Sequence, residues 1–345
     1  MKRIKIILIL GLLAGGIFGS AYAEEARKSF AEEYKVNKDA MLKVDNRFGS
    51  IEIINWDENK VSIQVDVEIE ASSQKKADRM LEGVSVSFKA TKSLVEAYTE
   101  LDENGCNNCD IDIAYTIKMP ASMSVDLLQK YGDIQVEEIN GEAKIGVKYG
   151  DLIAQQLNSE NNAIYLKYGA ASIDLIRGGK LEIAYSEVKI DESNELNLNT
   201  SYSELSFEKA FILEIESGYD EYEIETVNGL EIDSEFTEFE IEKIETYLTA
   251  ELKYGEMEVS HVSSAFEKIY VKTEFADVEL GIEAGTSYAL EGEAKYGDIE
   301  YPGNSKISVE DIGYTGSRVS GIVGDNANSG RKVHIIARHA DVEIN

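Results

Sequence analysis

The sequence predicts an all-β protein, a single-stranded parallel β-solenoid of 17–21-residue rungs, right-handed in preference, with one short helix near the amino-terminal end. Three observations carry this. An aromatic residue recurs at Tyr131, Tyr149, Tyr168, Tyr185, Tyr202, Tyr219, Phe236, Tyr254, Phe275 and Tyr296, and Phe48 and His339 match it further out. Apolar residues alternate on both sides of it, as in Ala143, Ile145 and Val147 or Val188 and Ile190, which is the period-two pattern of a strand with one buried face. No helical pattern separates the units, so stacking one unit on the next is the economical way to bury that face. Parallel crossovers favour the right hand.

The elements follow in order. Residues 1–23 read as a secretory signal peptide: Lys2, Arg3 and Lys5 precede an apolar run from Ile6 to Phe18, and Ala21-Tyr22-Ala23 has the A-x-A form. No later stretch approaches the ~20 apolar residues of a membrane-spanning helix. Residues 24–124 read as a β-rich cap with the first rungs, since a repeat array needs a closed end. Within it, Ser72 to Val84 is a helix with Ala77, Met80 and Leu81 on one side, followed by strands near Val84–Lys89, Leu94–Tyr98 and Ile111–Lys118. Cys106 and Cys109 frame a two-residue gap; in an exported chain the first reading is a disulfide closing a hairpin tip, and two free thiols remain open. A redox pair would need a following helix, and a zinc site a second ligand pair.

Residues 125–345 are the regular rungs, continuous with the cap. Each aromatic is expected to be the last inward residue of its strand, giving an internal aromatic ladder, with the following glycine turning the corner through positive φ. The acid two residues on forms an outer column, and the preceding lysines (Lys130, Lys148, Lys167, Lys253, Lys295) are the expected counter-charges. The middle rungs lack that lysine, so Glu204, Glu221 and Glu238 are the calcium candidates in a column otherwise read as metal-free. Residues 301–333, rich in Gly, Ser and Asn, read as a loop-rich last rung.

The chain carries 65 Asp+Glu against 34 Lys+Arg, a net charge of −31, which repels nucleic acid and anionic lipid and attracts cations or basic partners. With 43% hydrophobic residues and only two prolines it is a folded chain rather than a disordered acidic one.

The segments "FGSIEIINWDENKVSI" (Phe48 to Ile63), "YTIKMPASMSVDL" leading into "KYGDIQV", the repeated Y-G-D corners and "GRKVHIIARHADVEIN" resemble the bacterial putative-adhesin β-strand repeat family, a domain of unknown function similar to the head domain of putative autotransporter adhesins. The resemblance covers nearly the whole chain after the leader. It implies an exported solenoid and transfers no catalytic residue.

The function read from the sequence is therefore a non-enzymatic, adhesin-like binding module at the bacterial envelope, in the periplasm or at the cell surface, with a protein or glycan partner and no cofactor. A periplasmic structural or envelope-stress protein is the alternative. A polysaccharide-acting β-helix enzyme would need a local mixture of acids and bases; here the acids run in columns, Arg177, Arg318, Arg331 and Arg338 are scattered, and no nucleophile or metalloprotease motif occurs. Trp56, Tyr165, Tyr288 and Tyr314 are the aromatics open to a partner. Calcium is expected to shift the melting temperature by no more than a few degrees; a large stabilisation reversed by EDTA would make the acidic column a metal site.

Overall fold

The computed structural model describes residues 24–102, 109–312 and 315–345; residues 1–23, Cys106 and Tyr314 lie outside them. The chain is all-β with one helix, and it divides into two compact units, one ending at Ala171 and the other beginning at Ser172.

In the first unit the strands are β1 (Glu24–Lys35), β2 (Met41–Asn55), β3 (Lys60–Ala71), then helix α1 (Gln74–Glu82), β4 (Val84–Ala90), β5 (Leu94–Leu101), β6 (Cys109–Met119), β7 (Ser124–Ile139), β8 (Ala143–Lys148), β9 (Leu152–Leu157) and β10 (Asn162–Lys167). Equivalent segments pair in parallel and in register: β2 on β7 with Met41 against Ser124, β7 on β8 with Leu127 against Ile145, and β8 on β10 with Ile145 against Ile164. Because each position meets its own equivalent, the inward residues Leu42, Val44, Val125, Leu127, Ile145 and Leu166 fill one core.

The other edge of β2 is closed by antiparallel structure. Its first half pairs with β5, which forms a hairpin with β4. Its second half pairs with β6, which continues antiparallel to β3 and so to β1. Alternation in "VSIQVDVEIEA" buries Val61, Ile63, Val65, Val67 and Ile69. Helix α1 sets Ala77 into the core, and its Gln74 side chain donates to the Glu25 carbonyl at 3.1 Å. A strand edge that would template further pairing is thereby used up.

Strand β11 (Ala170–Ala184) straddles the division. The second unit then contains β12 (Glu187–Ser201), β13 (Glu204–Gly218), β14 (Glu221–Val262), β15 (Lys268–Ile282), β16 (Tyr288–Lys295), β17 (Ile299–Glu300), β18 (Ser305–Asp311), β19 (Gly316–Val323), β20 (Lys332–Arg338) and β21 (Val342–Ile344). Parallel pairing at a constant 17-residue offset joins β12 to β13 and β13 to β14. Strand β14 runs through two aromatic corners, Phe236 and Tyr254, without losing its strand hydrogen bonding.

Two expectations fail at the end of this unit. Residues 305–323 are a hairpin, β18 on β19, which lies antiparallel on β16. Its alternating Ile307, Val309, Val319 and Val323 among glycines and serines gave too weak a pattern to read as strands. Repeat order also departs from chain order: β20 and β21 pair with β15 on one edge and with β16 and β17 on the other, so the last repeat is inserted between two earlier ones. Both arrangements leave β16 covered on each edge.

The corners require the main correction. Among the described residues every non-glycine with positive φ is one of the eleven repeat aromatics or His339 in the equivalent place, from Phe48 (φ 63°) to His339 (φ 50°). One left-handed residue reverses the pleat, so the aromatic points outward and is not the last inward residue; the ten ladder positions from Tyr131 to Tyr296 are 39–53% exposed. Glycine is needed after it for space. A Cβ on Gly132 would stand 1.7 Å from the Gly49 oxygen, and one on Gly150 would stand 2.0 Å from the Gly132 oxygen.

Gly150→Ala is therefore expected to lower stability by about 1–3 kcal/mol, the range for overpacking against a neighbour that cannot yield. Gly303→Ala, with nothing within 4 Å of the added atom, is the neutral control. Denaturant titration of both variants checks this.

Candidate functional site

The repeat aromatics form stacks on the outer surface. In the first unit Phe48, Tyr131, Tyr149 and Tyr168 stack in sequence with centroids 5.2, 5.1 and 4.9 Å apart. In the second, Tyr185, Tyr202, Tyr219, Phe236, Tyr254 and Phe275 stack at 4.7–5.1 Å with planes within 6°. His339 then lies between Phe275 (4.7 Å) and Tyr296 (4.5 Å), as the inserted last repeat requires. Each left-handed residue costs on the order of 1–3 kcal/mol. Stacking returns about 0.5–1.5 kcal/mol per pair, and the corner hydrogen bonds supply the rest.

Those hydrogen bonds come in two kinds, and the residue pair after the aromatic selects between them. Where the pair is small residue then Asp, the carboxylate accepts the backbone N–H of its equivalent in the next repeat: Asp133 from Asp151 (2.8 Å), Asp151 from Ala170 (2.8 Å), Asp277 from Asp341 (2.8 Å) and Asp341 from Asp298 (2.9 Å). The Gly49 carbonyl, turned to the interior, accepts from the buried Gln129 amide at 2.9 Å. Where the pair is Ser, Asp or Thr followed by Glu, the small polar side chain does this work from inside. Ser203 Oγ accepts from Ser186 N (3.2 Å), Asp220 Oδ1 from Ser203 N (2.7 Å), and Thr237 Oγ1 from Asp220 N (3.4 Å). The following Glu N–H then goes to a backbone carbonyl, Glu204 to Ser186 and Glu221 to Ser203.

Asp220 is the centre of the second kind. It is only 6% exposed, and besides Ser203 N it accepts from Thr200 Oγ1 (2.7 Å), Ser217 Oγ (2.7 Å) and Gly218 N (3.1 Å). Tyr222 lies behind Thr200 at 2.7 Å; burial pushes its phenol well above the usual tyrosine range. Four donors around a buried carboxylate make a structural anchor with no free face for chemistry.

Glu204, Glu221 and Glu238, the calcium candidates, lie exposed on the outer surface, with Glu204 in register against Glu221. Like charges at ~4.8 Å strand spacing repel by about 1 kcal/mol or less in water, which salt screens further, so the repulsion alone does not demand a counter-ion. Among the described residues no group of three or more His, Cys, Asp or Glu is gathered to hold a metal ion. Cys109 opens β6 and is disulfide-bonded, while Cys106 lies outside the described residues.

Four of the lysines before the aromatics lie against the rings that follow them. Lys130, Lys148 and Lys295 hold their ammonium groups 4.7, 5.3 and 5.5 Å from the ring centre that follows, and Lys167 does the same at 5.2 Å. Exposed contacts of this kind are worth about 0.5–1 kcal/mol. Lys253 instead pairs with Glu235 at 2.7 Å.

One concavity lies within the first unit, a cavity of about 240 Å³ lined in part by Arg47, Leu128, Lys130, Gly146, Lys148 and Tyr165. Register produces it. Leu128, Gly146 and Tyr165 are equivalent outward positions on β7, β8 and β10, so the missing side chain at Gly146 leaves a gap between two apolar ones. Arg47, Lys130, Lys148 and Lys167 form the adjacent row. Of the aromatics read as open to a partner, Tyr165 is 47% exposed, Tyr288 is buried, and Trp56 is half-buried with its indole N–H on the Lys60 carbonyl at 2.9 Å. The basic row was visible in the sequence; the gap needed the register.

No family model matches the chain, and no curated protein matches it. Among solved structures it is similar to a putative adhesin from Parabacteroides distasonis (9% identity, 92% of this chain and 97% of that one, TM-score 0.30). It is also similar to a putative lipid binding protein from the same organism (8%, 92% and 96%, TM-score 0.28) and to a putative adhesin from Bacteroides fragilis (11%, 92% and 97%, TM-score 0.27). TM-scores this low carry no functional information.

Asp220→Ala is expected to destabilise by about 3 kcal/mol or more, since each buried donor left without an acceptor costs ~1–3 kcal/mol. Glu221→Ala, one residue on and exposed, should be near neutral. Thermal and denaturant unfolding of the two variants measure the contrast.

Proposed function

We propose that the chain is an exported, non-catalytic binding module of the bacterial envelope, whose repeats coil as a right-handed parallel β-solenoid. The observation that carries this reading is the arrangement of the outward side chains. Aromatics, lysines and acids stand in straight rows set by strand register, and the groups that do converge, around Asp220, are buried and fully bonded. Catalysis needs a few unlike groups brought within reach of one bond; rows of like groups instead present the same chemistry repeatedly, which suits contact with an extended or repetitive partner. Parallel pairing at a fixed 17-residue offset supports the solenoid, and the usual hand of parallel crossovers supports a right-handed one. Export rests on the basic, apolar and A-x-A pattern of residues 1–23.

Fractionation of the native host with protease shaving of intact cells tests the placement. Degradation on intact cells is the result expected of a surface-binding module. Protection until the outer envelope is opened would replace that reading with a periplasmic structural role.

A further inference from the structure

We propose that the groove over Gly146 in the first unit holds a carboxylated sugar ring of a linear acidic saccharide, an inference that rests on the binding-module reading and names its ligand class. The groove has two unlike sides. One side is apolar: Leu128, 41% exposed, leans over Gly146, and Tyr165 stands beyond it. Along one flank run Arg47, Lys130, Lys148 and Lys167, one per strand and in register. Arg47, Lys130 and Lys148 form no ion pair among the described residues. In a chain of net charge −31, four consecutive repeats with a cation at one position make a local exception.

A ligand that fits must be flat, apolar on its faces and anionic at one edge. A pyranose uronate is such a group: its C–H face stacks on Tyr165 and Leu128, and its carboxylate lies toward the cations. A phosphate has no apolar face. An acyl chain would need an apolar path continuing from Gly146, whereas the outward neighbours of Gly146 on β8 are Lys144 and Lys148. The volume, about 240 Å³, is below the ~300–1,000 Å³ of sites that enclose a whole drug-sized ligand. It therefore takes one ring, and the rest of a linear chain would follow the cation row across the strands, whose ~4.8 Å spacing is close to the length of one sugar residue. Asp45, the outward residue in register with Leu128, also lines the groove and opposes an anion there. Burial raises its carboxyl above the ordinary value against the lowering effect of Lys43 and Arg47.

Titration calorimetry of the full exported chain with oligogalacturonate tests this, with a neutral oligoglucan of equal length and poly-glutamate as the comparison probes. Oligogalacturonate is expected to bind saturably, with the other two at least about tenfold weaker. Lys130→Glu with Lys148→Glu should weaken binding by about tenfold or more, and Tyr165→Ala should weaken it without loss of melting temperature. Gly146→Leu should fill the groove, since its Cβ meets only the flexible end of Leu128. Asp45→Asn should tighten binding. Equal affinity for poly-glutamate and oligogalacturonate, with Tyr165→Ala silent, would overturn the proposal in favour of a bare cationic strip. Absence of saccharide binding by a chain that shaving places at the surface would overturn the ligand class and leave the module reading standing; saccharide binding by a protease-protected chain would do the reverse.

Discussion

The structure depends on a backbone constraint at the corners. A parallel strand can follow its equivalent in register only if the chain turns at the same place in every repeat, and each turn is made by one residue held at positive φ. Such a residue is unfavourable unless it is glycine, yet the sequence places an aromatic there. The reason lies in the reversed pleat, which sends two successive side chains outward and makes the second a platform. With neighbours at strand spacing on both sides, the ring covers its own strained backbone and stacks on the next ring. The strain and its compensation occur at one residue, so the corner can be repeated without adjustment elsewhere.

Register then multiplies whatever the repeat contains. The backbone N–H groups at the turn cannot all reach a carbonyl, and a buried unpaired N–H is expensive. The chain supplies an acceptor either from outside, as an Asp on the aromatic's exposed flank, or from inside, as Ser, Asp or Thr in the corner. This accounts for Gly132-Asp133 and Ala276-Asp277 on one side and Ser203-Glu204 and Asp220-Glu221 on the other, since once the inner side chain accepts, the outer acid need not be short; Gly255-Glu256 alone among the Gly-acid corners departs from it. Array ends require a different solution, because an in-register strand edge invites another strand. The first unit covers its edge with antiparallel strands and a helix, and the second covers β16 with a hairpin on one edge and the inserted last repeat on the other.

Much of this was legible in the residues. The period, the parallel pairing of equivalents and the helix at Gln74–Glu82 followed from spacing and alternation, which are local signals. The direction of Tyr131 and its equivalents was misread because counting alternate residues assumes an unbroken pleat, and a single left-handed residue shifts the count. Insertion of β20 between β15 and β16 could not be read, since nothing local distinguishes the neighbour in space from the neighbour in sequence. The strands at 305–323 were hidden by Gly316 and Gly321, which serve close approach to other backbone atoms instead of a turn. The groove over Gly146 was invisible for a related reason: Leu128, Gly146 and Tyr165 mean nothing separately, and become a site only when register lines them up.

The same logic bears on the charge. On an irregular surface an acidic excess of this size would be scattered, and its net repulsion would be the main consequence. Here charges of one sign can be repeated along a stretch of a row, so the first unit presents four cations and the second presents Glu204, Glu221 and Glu238. Neither row requires a counter-ion at strand spacing in water, and neither touches the core. Selection on such a surface can therefore change a row without disturbing the corner that holds it. The position before the aromatic is Lys in some repeats and Ala184, Ser201, Gly218 or Glu235 in others, with the same backbone beneath. The corner fixes where the rows are; the residues outside it are free to determine what they meet.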